Sequence, residues 1–295
     1  MGIGFAFFFA LLLLDIALGE FRKPRALSMN ELGVSIAAML LAFTVRALPF
    51  ALIMFVMKHF FPALKNCFEG SSVLLAATLA MLLDDYGNYW LHRLAHKHRV
   101  LWQLHKPHHI PVHMNVVMGV RENMFYYFLL PVNLMAPVLV FTGQETAGAI
   151  AVGIKLLVVY LQHTGTRWDL WLRRCAAGRA LLNLAERLFA LQDFHHRHHG
   201  IGRFGNANSN YGNVLCIWDR LHGTHSGMPG RAQDAFGLPL GVKVESMTVQ
   251  LFWPLFSDRD KVALPAAPLV QSTPEELLAA KAIIRTPDGV RIAVK

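Results

Sequence analysis

Five apolar blocks set the layout of this 295-residue chain. The first, residues 2–18 (GIGFAFFFALLLLDIAL), is broken only by Asp15. No basic segment precedes it and no A-x-A-type cleavage site follows, so a membrane helix is expected rather than a signal peptide. Asp15 then needs an interfacial position or a partner. The second block, 32–57, carries a single charge at Arg46, and its Pro49 should kink a helix. Its length suits one tilted span or the two arms of a re-entrant hairpin. One span is the expectation, with Arg46 snorkelling or facing other helices. The third block, 71–91, is apolar through Leu83 and then turns amphipathic in Asp84-Asp85-Tyr86-Gly87-Asn88-Tyr89-Trp90, with the aromatic residues of an interfacial belt. Blocks 124–141 and 146–162 are separated by only four residues, which makes them an antiparallel helical hairpin.

The polar segments between the blocks set an orientation. Loop 19–30 carries Arg22, Lys23 and Arg25 and is expected on the cytoplasmic side. Counting spans from there, the polar excursion 92–122 and the returning end of the hairpin at His163 also face the cytoplasm. From 164 onward the chain is amphipathic. Trp168, Trp171 and Leu172 beside Arg167, Arg173 and Arg174 suggest a helix lying in the membrane interface. Leu181, Leu184, Ala185 and Leu188 recur at helical spacing, which suits packing on the bundle as well as lipid contact. Residues 200–213 read as a Gly/Asn-rich loop, and a short amphipathic helix is expected near Pro274–Arg285. The resulting division is N-terminal membrane helices over 1–70, a histidine-rich unit over 71–225 that includes hairpin 124–162, and a peripheral tail over 226–295.

Composition agrees with a membrane setting. The chain is 54% hydrophobic and 16% charged, against about 25% charged for an ordinary soluble domain. Its net charge of +9 sits beside the apolar blocks, as the positive-inside rule expects, rather than in a nucleic-acid-binding patch. The three cysteines, Cys67, Cys175 and Cys216, form no CxxC pair, which excludes a disulfide framework and a thiolate metal site.

The chemistry lies in the histidines. They read His92-Arg-Leu-Ala-His96, His105-Lys-Pro-His108-His109 and His195-His-Arg-His198-His199. With 15 histidines in 295 residues, composition alone yields about 0.04 HxxHH patterns per chain, and this one has two. In HxxxH the two rings share one helix face. In HxxHH the last two residues diverge by about 100° around a helix and can address different ions. Two triplets, a pair and His163 make nine imidazoles, a set for two metals, and one too large for a structural zinc site. Imidazole suits iron, copper, nickel and zinc alike. Pro107 is expected at the first position of a helix, with His105 ending the preceding turn. Asp84, Asp85, Asp193 and Asp219 are candidates to accept the outer imidazole N–H groups. His59, His98, His113 and His196 read as surface or bystander residues, and His222 and His225 as open.

The order HxxxH, HxxHH, lone His, HxxHH resembles the fatty acid hydroxylase/sterol desaturase superfamily. Asn210-Tyr211-Gly212, Trp218-Asp219-Arg220-Leu221 and Gly223-Thr224 resemble its closing signature. The resemblance covers about residues 80–225. It implies an all-α, multi-pass membrane helical bundle with a cytoplasmic helical cap holding a histidine-ligated di-metal centre. His92, His96, His105, His108, His109, His195, His198 and His199 match the box positions, and His163 a further ligand position. Two iron ions, O2 as co-substrate and an external electron donor are implied. So is the hydroxylation of a fatty-acyl, sterol or other isoprenoid-type lipid entering from the bilayer, or its desaturation by the same centre. Two departures stand out: His222 replaces a common aromatic residue, and Arg121-Glu122-Asn123 replaces a His-Pro-containing run. With neither an HPGG nor a GxGxxG motif present, electrons are expected from a ferredoxin- or cytochrome-b5-type protein with its reductase, and an acidic carrier suits the basic face. No nucleic-acid partner is expected.

Three rivals fit less well. A zinc hydrolase wants a glutamate inside the motif, as in HExxH. A metal transporter places histidines within its spans, whereas these stand at their ends. A scaffold has no use for nine clustered ligands.

Overall fold

In a computed structural model, described here for residues 2–22, 29–202, 204–227, 230–238, 242, 244–257, 284–286 and 289–291, the apolar blocks become helices whose breaks follow the prolines. Block 2–18 forms α1 (Gly2–Ala17) and block 32–57 forms α2 (Met29–Val45) and α3 (Ala47–Phe60). The hinge falls at Arg46 because Pro49, one turn later, has no N–H to offer the carbonyl of Val45 and crowds it. The Arg46 guanidinium does turn inward, 5.2 Å from the centre of the Tyr127 ring. Block 71–91 becomes α4 (Val73–Ala95), whose first turn is capped by Ser72 Oγ accepting from the Leu75 amide at 3.3 Å. Arg99–His109 is α5.

The hairpin is less regular than its sequence suggests. Pro131 splits block 124–141 into a single turn, α6 (Tyr126–Leu129), and the eleven-residue α7 (Pro131–Phe141). At 1.5 Å per residue α7 is about 16 Å long, half the thickness of a hydrocarbon core. The return arm, α8 (Glu145–His163), is a full 19 residues. Among the described residues two helical stretches are long and apolar enough to cross a membrane, Gly33–Phe60 (α2 with α3) and Glu145–His163, against the five apolar blocks of the sequence. The difference arises from the shortness of α1, from Pro131 and from the polar lower half of α4.

The remaining helices are short: α9 (Trp168–Leu172), α10 (Ala176–Ala185), α11 (Gln192–His199), α12 (Ile217–Leu221) and α13 (Met247–Phe252). Two small antiparallel pairs complete the fold, β1 (Gly200–Ile201) with β2 (Ala235–Phe236), and β3 (Ile284–Thr286) with β4 (Gly289–Arg291). Most of the helix expected near Pro274–Arg285 lies outside the described residues, and its last two positions, 284 and 285, are in β3. Lys23 and Arg25 of the basic loop also lie outside them.

Buried polar side chains tie the helices together. Asp15 finds its partner: fully buried, it accepts from the Val116 amide (3.1 Å), Thr164 Oγ1 (2.5 Å) and Thr166 Oγ1 (3.3 Å). It thereby joins α1 to the segment after α8, while Phe8 and Leu11 pack on Val116, Val120, Val159 and Tyr160. Asp84 and Lys155 form a buried ion pair at 2.8 Å between α4 and α8. Part of the tail, expected to be peripheral, is structural instead. Leu251 is fully buried against Val34 and Ala38, Gln250 accepts from Arg121 at 3.0 Å, and Glu245 pairs with Lys106 at 2.5 Å. Outward, α3 and α4 present Leu48, Leu52, Phe55, Leu74, Leu79 and Leu83 exposed, a wide apolar face of the kind that lipid or a partner covers.

Candidate metal centre

Four helix ends converge on one buried site. The last turn of α4 carries His92 and ends at His96, the end of α5 carries His105, His108 and His109, α8 ends at His163, and α11 carries His195, His198 and His199. Pro107 lies inside α5 rather than at a helix start. It is tolerated two residues from the helix end, where the one intrahelical bond it removes is its own to the Gln103 carbonyl. One continuous helix therefore presents all three histidines of the second box.

The nine imidazoles divide into two sets. His92, His96, His105, His109 and His198 form one, and His108, His163, His195 and His199 the other, with the potential ligand atoms of each set within 4.8 Å of one another. Each adjacent pair, 108/109 and 198/199, is shared between the sets, as the divergence of neighbouring residues on a helix requires.

The hydrogen bonds fix which nitrogen faces inward. Nδ1 lies 2.9 Å from the Tyr211 carbonyl in His92, 2.9 Å from that of Met118 in His108, 2.6 Å from that of Val159 in His163 and 2.7 Å from that of Ser209 in His198. A carbonyl only accepts, so each of these Nδ1 atoms carries the proton, and in the neutral ring Nε2 is left with its lone pair. For His108 and His163 those lone pairs meet, and other inner nitrogens crowd the same space. Nε2 of His163 is 3.3 Å from Nε2 of His108 and 2.8 Å from Nε2 of His195, and Nε2 of His105 and His109 are 3.2 Å apart. Among the described residues the buried Nε2 atoms of His92, His198 and His199 have no hydrogen-bond partner. Opposed lone pairs without a proton between them repel, and a cation removes the repulsion. Separations of 2.8–3.3 Å also suit two ligands on one ion with bonds of about 2.0–2.1 Å. The residues present fit two metal ions.

Electrostatics point the same way. Burial, with neighbouring imidazoles adding to it, holds His105, His108, His109, His195, His198 and His199 below the ordinary value of 6.5. They are neutral at pH 7, the state that ligation needs. Below pH 6.5 the unfolded chain binds protons that the native chain refuses, so stability falls as pH drops. Each such group adds about 1.4 kcal/mol per pH unit. Chelator-stripped protein should therefore melt far lower at about pH 5.5 than at about pH 7.5. A melting temperature independent of pH over this range would contradict neutral buried imidazoles.

The four aspartates expected at the imidazoles do other work. Asp84 pairs with Lys155, and Asp193 accepts from Arg167 (3.1 Å) and from the Gly230 amide (2.7 Å). Asp85 accepts from the amides of Val214 (2.7 Å) and Leu215 (2.9 Å) and from Trp218 Nε1 (2.9 Å). Asp219 accepts from the amides of Tyr211 (2.8 Å) and Gly212 (2.6 Å) and from Thr224 Oγ1 (2.7 Å). Asp85 and Asp219 thus hold the loop whose carbonyls at 209 and 211 orient His198 and His92. The carboxylate that does meet an imidazole is Glu122, 2.9 Å from His105 Nδ1. Its signal in the sequence was the Arg121-Glu122-Asn123 departure after the second box.

None of the other six histidines belongs to either set. His59 and His98 are exposed and His113 is half-buried. His196 is buried and packs edge-on against Phe236. His222 stacks on Tyr86 and Tyr89 and reaches Tyr86 Oη at 3.3 Å, filling an aromatic role with an imidazole. His225 lies 6.0 Å from the Phe194 ring.

Known proteins resemble this chain over the region that carries the histidines. The chain is 30% identical to alkylglycerol monooxygenase of Danio rerio over 190 residues, 60% of this chain and 37% of that one. It is 29% identical to alkylglycerol monooxygenase of Homo sapiens over 151 residues, 49% of this chain and 29% of that one. With the ornithine lipid hydroxylase OlsE of Rhizobium tropici it shares 27% over 223 residues, 72% of this chain and 60% of that one. It therefore spans about a third of the length of the alkylglycerol monooxygenases it matches. No solved structure matches significantly. The sequence profile of the fatty acid hydroxylase family matches residues 77–224, half of the chain and all nine clustered histidines, and the protein belongs to that family.

Proposed function

We propose that the protein is a membrane-embedded lipid hydroxylase whose nine clustered histidines hold two iron ions. The observation that carries this reading is the division of nine imidazoles into sets of five and four, with N–H groups bonded outward and lone pairs turned inward. Bound there, two irons supply the activation of O2 needed to oxidise an unactivated C–H bond, with electrons from a separate ferredoxin- or cytochrome-b5-type carrier and its reductase.

The chain's own residues bind, orient and exclude water. Carbonyls 118, 159, 209 and 211 fix four rings before any ion arrives, so little reorganisation accompanies binding. Every ligand except His92 is at most 5% exposed, which keeps water from the reacting centre. The exposed apolar faces of α3 and α4 support a setting in the bilayer, from which an apolar chain enters laterally. The histidines lie on the cytoplasmic side of a multi-pass bundle, where the basic surface receives an acidic carrier. Hydroxylation is preferred to desaturation because the relatives are a monooxygenase and a hydroxylase. A zinc hydrolase is disfavoured because Glu122 bonds the outer nitrogen of His105 instead of facing the inner lone pairs.

Mass spectrometry of lipid extracts from a deletion strain and its parent tests the reading. The parent should contain a lipid one oxygen heavier than its counterpart in the deletion strain. Loss of two hydrogens in the parent's lipid means desaturation, and identical lipid profiles sink the proposal.

A further inference from the structure

Glu122 lies beyond the histidine motifs, in the segment where this chain departs from the family pattern. It is buried, and its Oε1 is 2.9 Å from Nδ1 of His105 and 4.0 Å from Nδ1 of His108. These two rings stand one helical turn apart on α5, and they belong to different sets: His105 to the five-ring set, His108 to the four-ring set. Of the nine clustered imidazoles, four give their outer N–H to backbone carbonyls, and among the described residues only His105 hydrogen-bonds a carboxylate. Tyr126 stacks on the same ring at 5.1 Å, so His105 is held from its edge and its face. The other carboxylate oxygen, Oε2, is buried and has no hydrogen-bond partner.

We propose that Glu122 is a positioning residue for the metal centre: it fixes the tautomer and angle of His105 and makes the ion of the five-ring set electronically unlike its neighbour. A carboxylate behind an imidazole draws the Nδ1 proton and raises the electron density at Nε2, which a carbonyl does more weakly. His108 does not depend on Glu122, because the Met118 carbonyl already holds its N–H at 2.9 Å. The two ions are consequently held in unequal ways.

The inference rests on the two-iron reading, and the experiment separates the two. Full-length protein, purified in detergent and loaded anaerobically with Fe2+, is challenged with a chelator, and iron per chain is measured alongside the midpoint potential. Wild type retaining fewer than two irons defeats the reading of the centre itself. If wild type retains two, Glu122→Ala should lose one of them about 10–100-fold more readily while the second stays. Glu122→Gln should keep both but raise the midpoint potential, because a neutral amide no longer draws the His105 proton. Should Glu122→Ala not fold, the potential of Glu122→Gln decides alone. Equal retention of both irons in Glu122→Ala, equal loss of both, or a wild-type potential in Glu122→Gln overturns the assignment.

Discussion

His108→Ala and His198→Ala should each abolish lipid oxidation while the protein accumulates in the membrane fraction at its normal level. The two rings belong to different sets, so the variants empty different ions: His108→Ala the one shared with His163, His195 and His199, and His198→Ala the one shared with His92, His96, His105 and His109. Each substitution also strands an acceptor, the Met118 carbonyl in one case and that of Ser209 in the other. Losing merely an outer partner of a ligand typically costs 10–100-fold in metal affinity, and losing the ligand itself costs more. Iron analysis should therefore give one ion per chain in each variant rather than two, with no product formed. Neither substitution touches the apolar faces or the Asp84–Lys155 pair, so insertion is preserved. Full oxidation by either variant would end the proposal.

Asp219→Ala should have the second-largest effect although Asp219 touches no ligand. The carboxylate collects the amides of Tyr211 and Gly212 and the hydroxyl of Thr224, and it is fully buried. Burial pushes its carboxyl up to about 6 against those three hydrogen bonds, so the net gain from the carboxylate is smaller than three bonds suggest. Removing it is costly all the same, because the two buried amides of Tyr211 and Gly212 are left unsatisfied, each at about 1–3 kcal/mol, while the Thr224 hydroxyl keeps Tyr89 as a partner. We expect a loss of about 3–5 kcal/mol in stability. Once the loop relaxes, the Tyr211 carbonyl no longer aligns His92, and the five-ring set weakens with it. Thermal melts with and without iron measure both effects: the apo protein drops, and the stabilisation by iron shrinks. A variant with wild-type melting in both states would show that the loop stands without Asp219.

What could be read from the sequence has a physical boundary. The histidines announced themselves because ligation demands one residue type at helical spacings, and the split of pairs 108/109 and 198/199 follows from the helix's own angular step. His163 was found because a four-residue link between apolar blocks forces a return. The groups that aim the rings were invisible. Carbonyls 118, 159, 209 and 211 exist in every sequence, and only three-dimensional placement makes them acceptors. The four aspartates were read as imidazole partners because they are near the boxes in the chain. In space Asp85 and Asp219 grip backbone, Asp84 and Asp193 meet cations, and the carboxylate at the imidazole is Glu122. Block 124–141 reads as one long arm because average hydropathy does not register that Pro131 interrupts the helix. The tail was set aside for its polarity, yet Glu245 and Gln250 are buried by pairing with Lys106 and Arg121.

Asp15 gives the assembly of this chain a timetable. Its partners lie 101 and 149 residues further along, at Val116 and Thr164. At about 5–20 residues per second, a ribosome takes roughly 7–30 s to reach the later one. Throughout that interval a carboxylate sits in an otherwise apolar helix with nothing to receive it. The first helix is therefore provisional at birth, and it settles only when the turn bearing the ninth histidine has been made.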